Sequence, residues 1–278
     1  MSAEAPLIRC AVLGSPIAHS LSPVLHRAAY QSLGLAWSYE AIDVNEAALA
    51  DFLVGLGPEW RGLSLTMPLK TAVLPLLDVR SDLVLATGAA NTVVLVDGAR
   101  QGHNTDVPGL IDAITEAAAG RSLRTATILG AGATARSAVA ALGGLGVGEV
   151  TVFARRPETA AALRATASAV GVAVSVEPWG RADEGLLADV VVATTPAGST
   201  DVLALRVPHQ PGVLHDVVYD PWPTALAGAW SNAGGIVVSG HELLLAQALR
   251  QVELMTGQRP EVNAMRAALN VELARNLG

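Results

Sequence analysis

The stretch Thr125–Leu142, TATILGAGATARSAVAAL, decides the fold. Its opening residues are apolar or β-branched and read as a buried strand; beyond the glycines the pattern turns alanine-rich, as a closely packed helix requires. Between the two, Gly130, Gly132 and Ala135 stand in the spacing G-x-G-x-x-A, with Ala131 and Ala133 filling the loop. Gly130 permits the tight turn, Gly132 lets the backbone approach a pyrophosphate, and Ala135 lets helix and strand close on each other. A phosphate placed there meets the N–H groups and positive end of the helix. A glycine turn alone is a weak signal. Here a strand precedes it, a helix follows, and a second strand, EVTVFA (149–154), comes next, so the stretch is read as dinucleotide-binding.

The end of that second strand selects the nucleotide. An NAD site offers an acid there to bond the ribose hydroxyls. This chain has Ala154, Arg155 and Arg156 instead. An arginine clamps the 2′-phosphate of NADP by charge-assisted, often bidentate, hydrogen bonds. The alternative is a pair of solvated arginines at a strand end. The sequence favours NADP.

Outward from the turn, strand-like and helix-like patterns alternate. VAVSV, DVVVATT, VLHDVVYD and GIVVS continue the strand series, with helical segments between most of them. Such repetition favours a parallel sheet with right-handed crossovers. Upstream, IRCAVLG, WSYEAIDV and GLSLTM read as strands, PVLHRAAYQSLG and NEAALADFLVGL as helices, and KTAVLPLL as a short helix. Ser22 is placed to cap the first helix, with Pro23 at its first position and Gly34 as its stop. NTVVLV and the segment after Asp97-Gly98 form a hairpin, because Asp-Gly supports a tight turn. Two helices, HELLLAQALRQVELMTG and PEVNAMRAALNVELARN, close the chain. The expected fold is α/β with two domains: residues 1–106 as one, residues 107–240 as a Rossmann-type dinucleotide domain, and residues 241–278 returning to the first.

Composition excludes several function classes. Of 278 residues, 51% are hydrophobic and 15% charged, which argues against disorder. A net charge of -7 gives no basic footprint for a nucleic acid. Cys10 is the only cysteine, so no intrachain disulfide forms, and its strand context makes it an inert core thiol. The longest charge-free stretch, Pro221–Gly240, is broken by Pro223, Asn232 and Gly234-Gly235, a poor spanning helix. The opening MSAEAPLIRC lacks the basic and apolar regions of a secretory leader, so a cytoplasmic location is expected. His19 and His26 lack a third ligand at metal spacing, and no metal is expected. No interface is legible, which leaves monomer and homodimer open.

Three polar clusters precede the glycine turn. GSPIAHSLSP carries Ser20 and Ser22, whose hydroxyls can hold a carboxylate, although a capping role explains Ser22 equally well. LSLTMPLK carries Ser64, Thr66 and Lys70; a lysine beside an apolar segment is commonly a solvated flank. GAANT and GHNTD carry Asn91, Thr92, Asn104, Thr105 and Asp106, the last of which also suits a helix cap.

Taken in order, GSPIAHSLSPVLH, LSLTMPLK, GAANT, GHNTD, GAGATA, DVVYDPWPT and GHELLLAQ resemble the motif series of the shikimate dehydrogenases, from about Gly14 to Gln247. The resemblance implies NADPH-dependent reduction of 3-dehydroshikimate to shikimate, a step of chorismate and aromatic amino-acid biosynthesis. It also implies a discontinuous substrate domain and a cleft between the two domains. Carried over by motif, Ser20 and Ser22 would hold the substrate carboxylate. Thr66, Asn91 and Asp106 would contact the ring hydroxyls, and Tyr219 and Gln247 would complete the pocket. Lys70 and Asp106 would be catalytic; Thr194 and Gly240 would join the cofactor residues. The chain departs from the common pattern in four places: Ser64-Leu65 for Asn-Val, Ala154-Arg155-Arg156 for Asn-Arg-Thr, Arg27 for Asn, and Leu243 for Met. Two other readings stand beside this one, a quinate/shikimate dehydrogenase using NAD and a catalytically silent NADP-binding relative.

Overall fold

The computed structural model describes residues 7–157 and 160–276. Residues 1–6, part of the segment read for a leader, lie outside the described residues. In chain order the elements are β1 (Arg9–Gly14), α1 (Ser22–Ser32), β2 (Ser38–Asp43), α2 (Leu49–Val54), β3 (Trp60–Leu65), α3 (Leu69–Ala72), β4 (Val79–Arg80), α4 (Asp82–Thr87), β5 (Thr92–Val96) and β6 (Ala99–His103). Then come α5 (Asp106–Ala118), β7 (Thr125–Leu129), α6 (Ala133–Gly144), β8 (Glu149–Ala154), α7 (Ala161–Val170), β9 (Ala173–Pro178), β10 (Val190–Ala193), β11 (Val213–Asp216), α8 (Ala225–Asn232), β12 (Ile236–Val238), α9 (Gly240–Thr256) and α10 (Val262–Asn276). They form two compact units. Unit 1 takes the chain up to Leu85, Ala89–Thr105 and the chain from Gln247; unit 2 takes Ala86–Gly88 and Asp106–Ala246.

Unit 2 holds a six-stranded sheet in the order β9-β8-β7-β10-β11-β12, parallel throughout. This is the doubly wound order, reversing direction between β7 and β10. Parallel strands are covered on both faces, so they need side chains apolar on both sides rather than alternating ones. Val190, Val191 and Val192 meet that need and are completely buried. Each contributes about 1.5–3 kcal/mol by leaving water. Two crossovers depart from the expected helices. The segments Trp179–Leu187 and Asp201–Arg206 are 3-10 turns. In the first, Gly185 lies so close to Phe153 and Thr127 that a Cβ would fall 2.4 Å from the phenyl ring.

Unit 1 has a mixed sheet in the order β2-β1-β3-β5-β6-β4. β1 pairs in parallel with β2 and β3, whereas β5 runs antiparallel to both β3 and β6. The hairpin β5–β6 turns at Asp97 (φ +50°) and Gly98 (φ +82°), the doubly positive turn that Asp-Gly supports. α1 ends as expected, with Gly34 at φ +68°. Its start differs from the sequence reading. Leu21 is already helical at φ -86° and ψ -3°, so Ser22 is inside the first turn and does not cap it. The hydroxyl of Ser20 instead accepts from the Ser22 N–H at 3.4 Å. Cys10 is buried, and burial raises its thiol to about 11, as an inert core residue requires.

Two histidines are buried with no hydrogen-bond partner for either ring nitrogen, His26 on α1 and His215 in β11. His26 lies against the Tyr39 ring, 3.9 Å between centroids. Burial pushes His26 down to about 3 and His215 to about 4, from 6.5. Both are therefore neutral in the fold but protonate in the unfolded chain, so their contribution is complete above about 6.5 and is lost as pH falls toward the folded values. Urea unfolding at pH 5 should show a loss on the order of 2 kcal/mol per histidine relative to pH 7.5. A His215→Leu variant, which cannot take up that proton, should lose correspondingly less.

Candidate active site

The glycine turn sits where β7 meets α6, at the point where the strand order of unit 2 reverses. Open α/β sheets bind ligands at such a point, beyond the carboxyl ends of the strands. Gly130 has φ +112°, and a Cβ on it would lie 2.6 Å from the hydroxyl of Thr194. Thr194, just past β10, donates from its backbone N–H and its hydroxyl to the Leu129 carbonyl, at 2.8 and 2.9 Å. Thr194 thus ties the end of β7 to the end of β10. Gly132 is different. Its φ of -81° suits any residue, and nothing lies within 4 Å of where its Cβ would be. No side chain caps α6 at that end. Open space at Gly132 over uncapped helix N–H groups is what a pyrophosphate needs. Ala135 is fully buried, which keeps α6 close to the sheet. Ala154 is buried at the end of β8, and Arg155 and Arg156 beyond it are exposed. These residues fit a dinucleotide with a 2′-phosphate.

In unit 1 the polar residues gather at the carboxyl ends of β1 and β3. Asn91, which leads into β5, is the centre of the group and is 1% exposed. Its Oδ1 accepts from the Thr105 N–H (2.8 Å), the Thr105 hydroxyl (3.1 Å) and the Thr92 hydroxyl (3.0 Å). Its Nδ2 donates to Thr105 Oγ1 at 2.9 Å and to Gln247 Oε1 at 3.1 Å. The backbone is held as firmly: the Leu65 N–H donates to the Asn91 carbonyl at 2.7 Å, and the Ala90 N–H to the Lys70 carbonyl at 2.8 Å. Thr66 follows β3 and packs on the start of the serine loop, since a Cβ on Gly14 would fall 2.4 Å from its methyl.

Lys70 is half-buried on α3 in unit 1, and Asp106 is buried at the first position of α5 in unit 2. Asp106 follows Thr105 directly, so the bonds from Thr105 to Asn91 fix the chain just before it. Ser22 is buried and Ser20 half-buried, both in unit 1. Tyr219 lies in unit 2 beyond β11, half-buried, with its ring centroid 5.7 Å from that of His241. Burial, and then the Asp220 carboxylate, raise its phenol above the ordinary value. Gly240 starts α9 where a Cβ would meet the Val217 carbonyl at 2.3 Å, a close backbone approach that explains the glycine.

The sequence reading did not single out Gln251 or Tyr39. Gln251 is 1% exposed and bonds Gln247, Thr92 and Ser64. One signal was present: Gln247 and Gln251 stand one helical turn apart in an otherwise apolar stripe of HELLLAQALRQVELMTG.

A doubly wound sheet with a glycine turn at its switch point, together with a second α/β unit bearing a buried polar edge, defines a nicotinamide-dinucleotide dehydrogenase. Comparison with known proteins narrows this class. Residues 12–93 match the shikimate dehydrogenase substrate binding domain, and residues 240–269 the shikimate 5'-dehydrogenase C-terminal domain. The shikimate dehydrogenase (NADP(+)) of Thermus thermophilus is 38% identical over 267 residues, covering 94% of this chain and 97% of the relative. The crystal structure of shikimate dehydrogenase from Mycobacterium tuberculosis superposes with a TM-score of 0.87 at 42% identity, covering 95% of this chain and 99% of the other. A Thermus thermophilus shikimate 5-dehydrogenase in complex with NADP(H) and shikimate gives 0.82 at 36% identity, covering 94% and 98%. The chain belongs to the shikimate dehydrogenase family.

The two glycines of the turn should respond differently to alanine. Gly130→Ala meets both the positive φ and Thr194, and is expected to lower Tm by several degrees. Gly132→Ala has room in the fold and should leave Tm within about 1 °C, yet raise KM for the dinucleotide about tenfold or more by filling the space of the pyrophosphate. Thermal unfolding and steady-state kinetics on the two variants check both statements.

Proposed function

We propose that this chain catalyses the reversible NADPH-dependent reduction of 3-dehydroshikimate to shikimate, a step of aromatic amino-acid biosynthesis, in the cytoplasm. The observation that carries the reading is the Gly130–Gly132 turn at the switch point, with arginines rather than an acid ending β8, in a chain of this family. Among the described residues no helix is long and apolar enough to cross a membrane, which suits an enzyme of a small soluble metabolite.

Gly130, Ala131, Gly132 and Ala133 would cradle the pyrophosphate, with Ala135 allowing the helix its close approach. Ala154 closes β8, and beyond it Arg155 and Arg156 would hold the 2′-phosphate. Thr194 and Gly240 would shape the remainder of that site. When bound, the reduced nicotinamide supplies the hydride. The remaining chemistry is orientation and one proton. Ser20 and Ser22 would donate hydroxyl hydrogen bonds to the substrate carboxylate. Thr66, Asn91, Tyr219 and Gln247 would fix the ring through its hydroxyls, so that the carbonyl carbon is held for attack.

As that carbon is reduced, its oxygen takes on alkoxide character and must be neutralised. Lys70 is the group we assign to that oxygen, with its ammonium stabilising the charge and delivering the proton. Asp106 would orient the substrate hydroxyl. In the oxidative direction the same lysine takes the proton back. A positioned proton donor contributes about 10²–10⁴-fold, so Lys70→Ala should lower kcat by that factor and change KM for shikimate little.

Absorbance at the NADPH band during shikimate oxidation tests the reading directly. Turnover with NADP and shikimate is expected, and turnover only with NAD and quinate would replace it with the quinate enzyme. NADP binding in a thermal-shift assay with no turnover on either substrate would make the chain a silent relative. Exchanging Arg155 and Arg156 together for serine should raise KM for NADP about tenfold or more, while KM for NAD stays near its starting value.

A further inference from the structure

We infer that Gln251 is a positioning residue that sets the polarity of Gln247, so that the substrate meets the amide NH2 of Gln247 and not its carbonyl. The inference rests on the placement of Gln247 and Asn91 in the substrate site proposed above.

The protons of the buried network in unit 1 run in one direction. Tyr39, fully buried, donates its hydroxyl proton to Ser64 Oγ at 2.6 Å. Burial raises that phenol well above its ordinary value, so it remains a donor at every working pH. Ser64 in turn donates its only proton to Gln251 Oε1 at 2.8 Å. The carbonyl end of Gln251 is therefore committed to Ser64, and its NH2 end must face the other way. There it donates to Gln247 Oε1 at 2.9 Å, to Thr92 Oγ1 at 3.1 Å and to the Asn91 carbonyl at 3.3 Å. Gln247 Oε1 thus receives two donors, Gln251 Nε2 and Asn91 Nδ2. Reversing the Gln247 amide would point its NH2 at two other NH2 groups and take one acceptor from each; Asn91 Nδ2 would keep only Thr105 Oγ1 for its two protons, and a buried donor left unpaired costs about 1–3 kcal/mol. One orientation survives, with oxygen into the network and nitrogen on the opposite side. A ligand group bound there has to be an acceptor, such as a hydroxyl or carbonyl oxygen.

Ser64 matters to this sequence in particular, because a hydroxyl with one proton fixes the direction of the chain from Tyr39 to Gln251. Gln251 itself is 1% exposed and acts through its neighbours.

Three variants test the inference in the NADP-dependent oxidation of shikimate. Gln251→Met keeps the bulk and removes the donors; KM for shikimate should rise about tenfold while KM for NADP stays within about twofold. Gln251→Glu keeps the shape and reverses the polarity, since a carboxylate only accepts and turns the Gln247 NH2 toward itself. At alkaline pH it should raise KM for shikimate more than Gln251→Met does. That excess should shrink as the pH is lowered, because a protonated carboxyl regains one donor. A role in packing alone predicts the reverse order, with the isosteric glutamate tolerated best, and no such pH trend. Should neither variant fold, Ser64→Ala removes the orienting proton and is read in the same way. Wild-type turnover is the control: its absence would remove the site reading, whereas normal turnover with KM for shikimate unchanged, or both KM values rising together, would remove Gln251 from its role.

Discussion

Asn91 has to satisfy both ends of a buried amide, and much of unit 1 is arranged to let it. A buried polar group without partners costs several kcal/mol, so the fold brings partners to it. Its side-chain partners come from separate pieces of chain, Thr92 in β5, Thr105 before α5 and Gln247 on α9, while its backbone bonds Leu65 at the end of β3 and His103 at the end of β6. Because the low-dielectric interior makes each bond strong and each omission expensive, such a network is rigid once complete. The residues assigned to substrate stand on this frame. Thr66 follows the strand that Asn91 anchors, the backbone of Lys70 is tied to Ala90, and Asp106 is the next residue after Thr105. A site that must orient a ring to within a fraction of an ångström benefits from support of this kind.

Unit 2 obeys a different constraint, that of close approach. Gly130 lets the end of β7 pass against Thr194, Gly185 lets a crossover lie flat on Phe153 and Thr127, and Gly240 admits the Val217 carbonyl. In each case the missing Cβ is where backbone and neighbour meet. Gly132 alone of these has nothing opposite its Cβ position. The contrast separates three glycines whose missing Cβ serves the fold from Gly132, whose open space suits the pyrophosphate proposed above.

The legible parts of the molecule are those whose signals are local. The strand, turn and helix around Gly130, the Asp97-Gly98 hairpin and the Gly34 stop each depend on a few consecutive residues, and the structure has each where those residues predict it. The parts that were not read depend on distant partners. β4 is only Val79–Arg80, too short for a periodic pattern, and exists because β6 offers it an edge. The 3-10 crossover of Trp179–Leu187 is set by packing on Phe153 rather than by the propensities of its own residues. Ser22 satisfies the rule for a helix cap, but Leu21 enters helical geometry one residue earlier, which leaves the helix without a side-chain cap and the Ser22 N–H on the Ser20 hydroxyl. At the site, Lys70, Asn91 and Asp106 are expected through resemblance, because sequence spacing says nothing of their placement in space. Gln251 belongs to no motif; its one local signal is its place a helical turn after Gln247, and the bonds it makes give that signal its meaning.

The lone cysteine has a practical consequence. Cys10 sits in β1, paired on one side with β2 and on the other with β3, and burial holds its thiol protonated up to about pH 11. A thiol in that state does not react with alkylating reagents at neutral pH. Labelling then waits on the breathing of the unit 1 sheet. The chain thus carries its own clock for local opening, one that needs no engineered cysteine and reports on unit 1 rather than on unit 2.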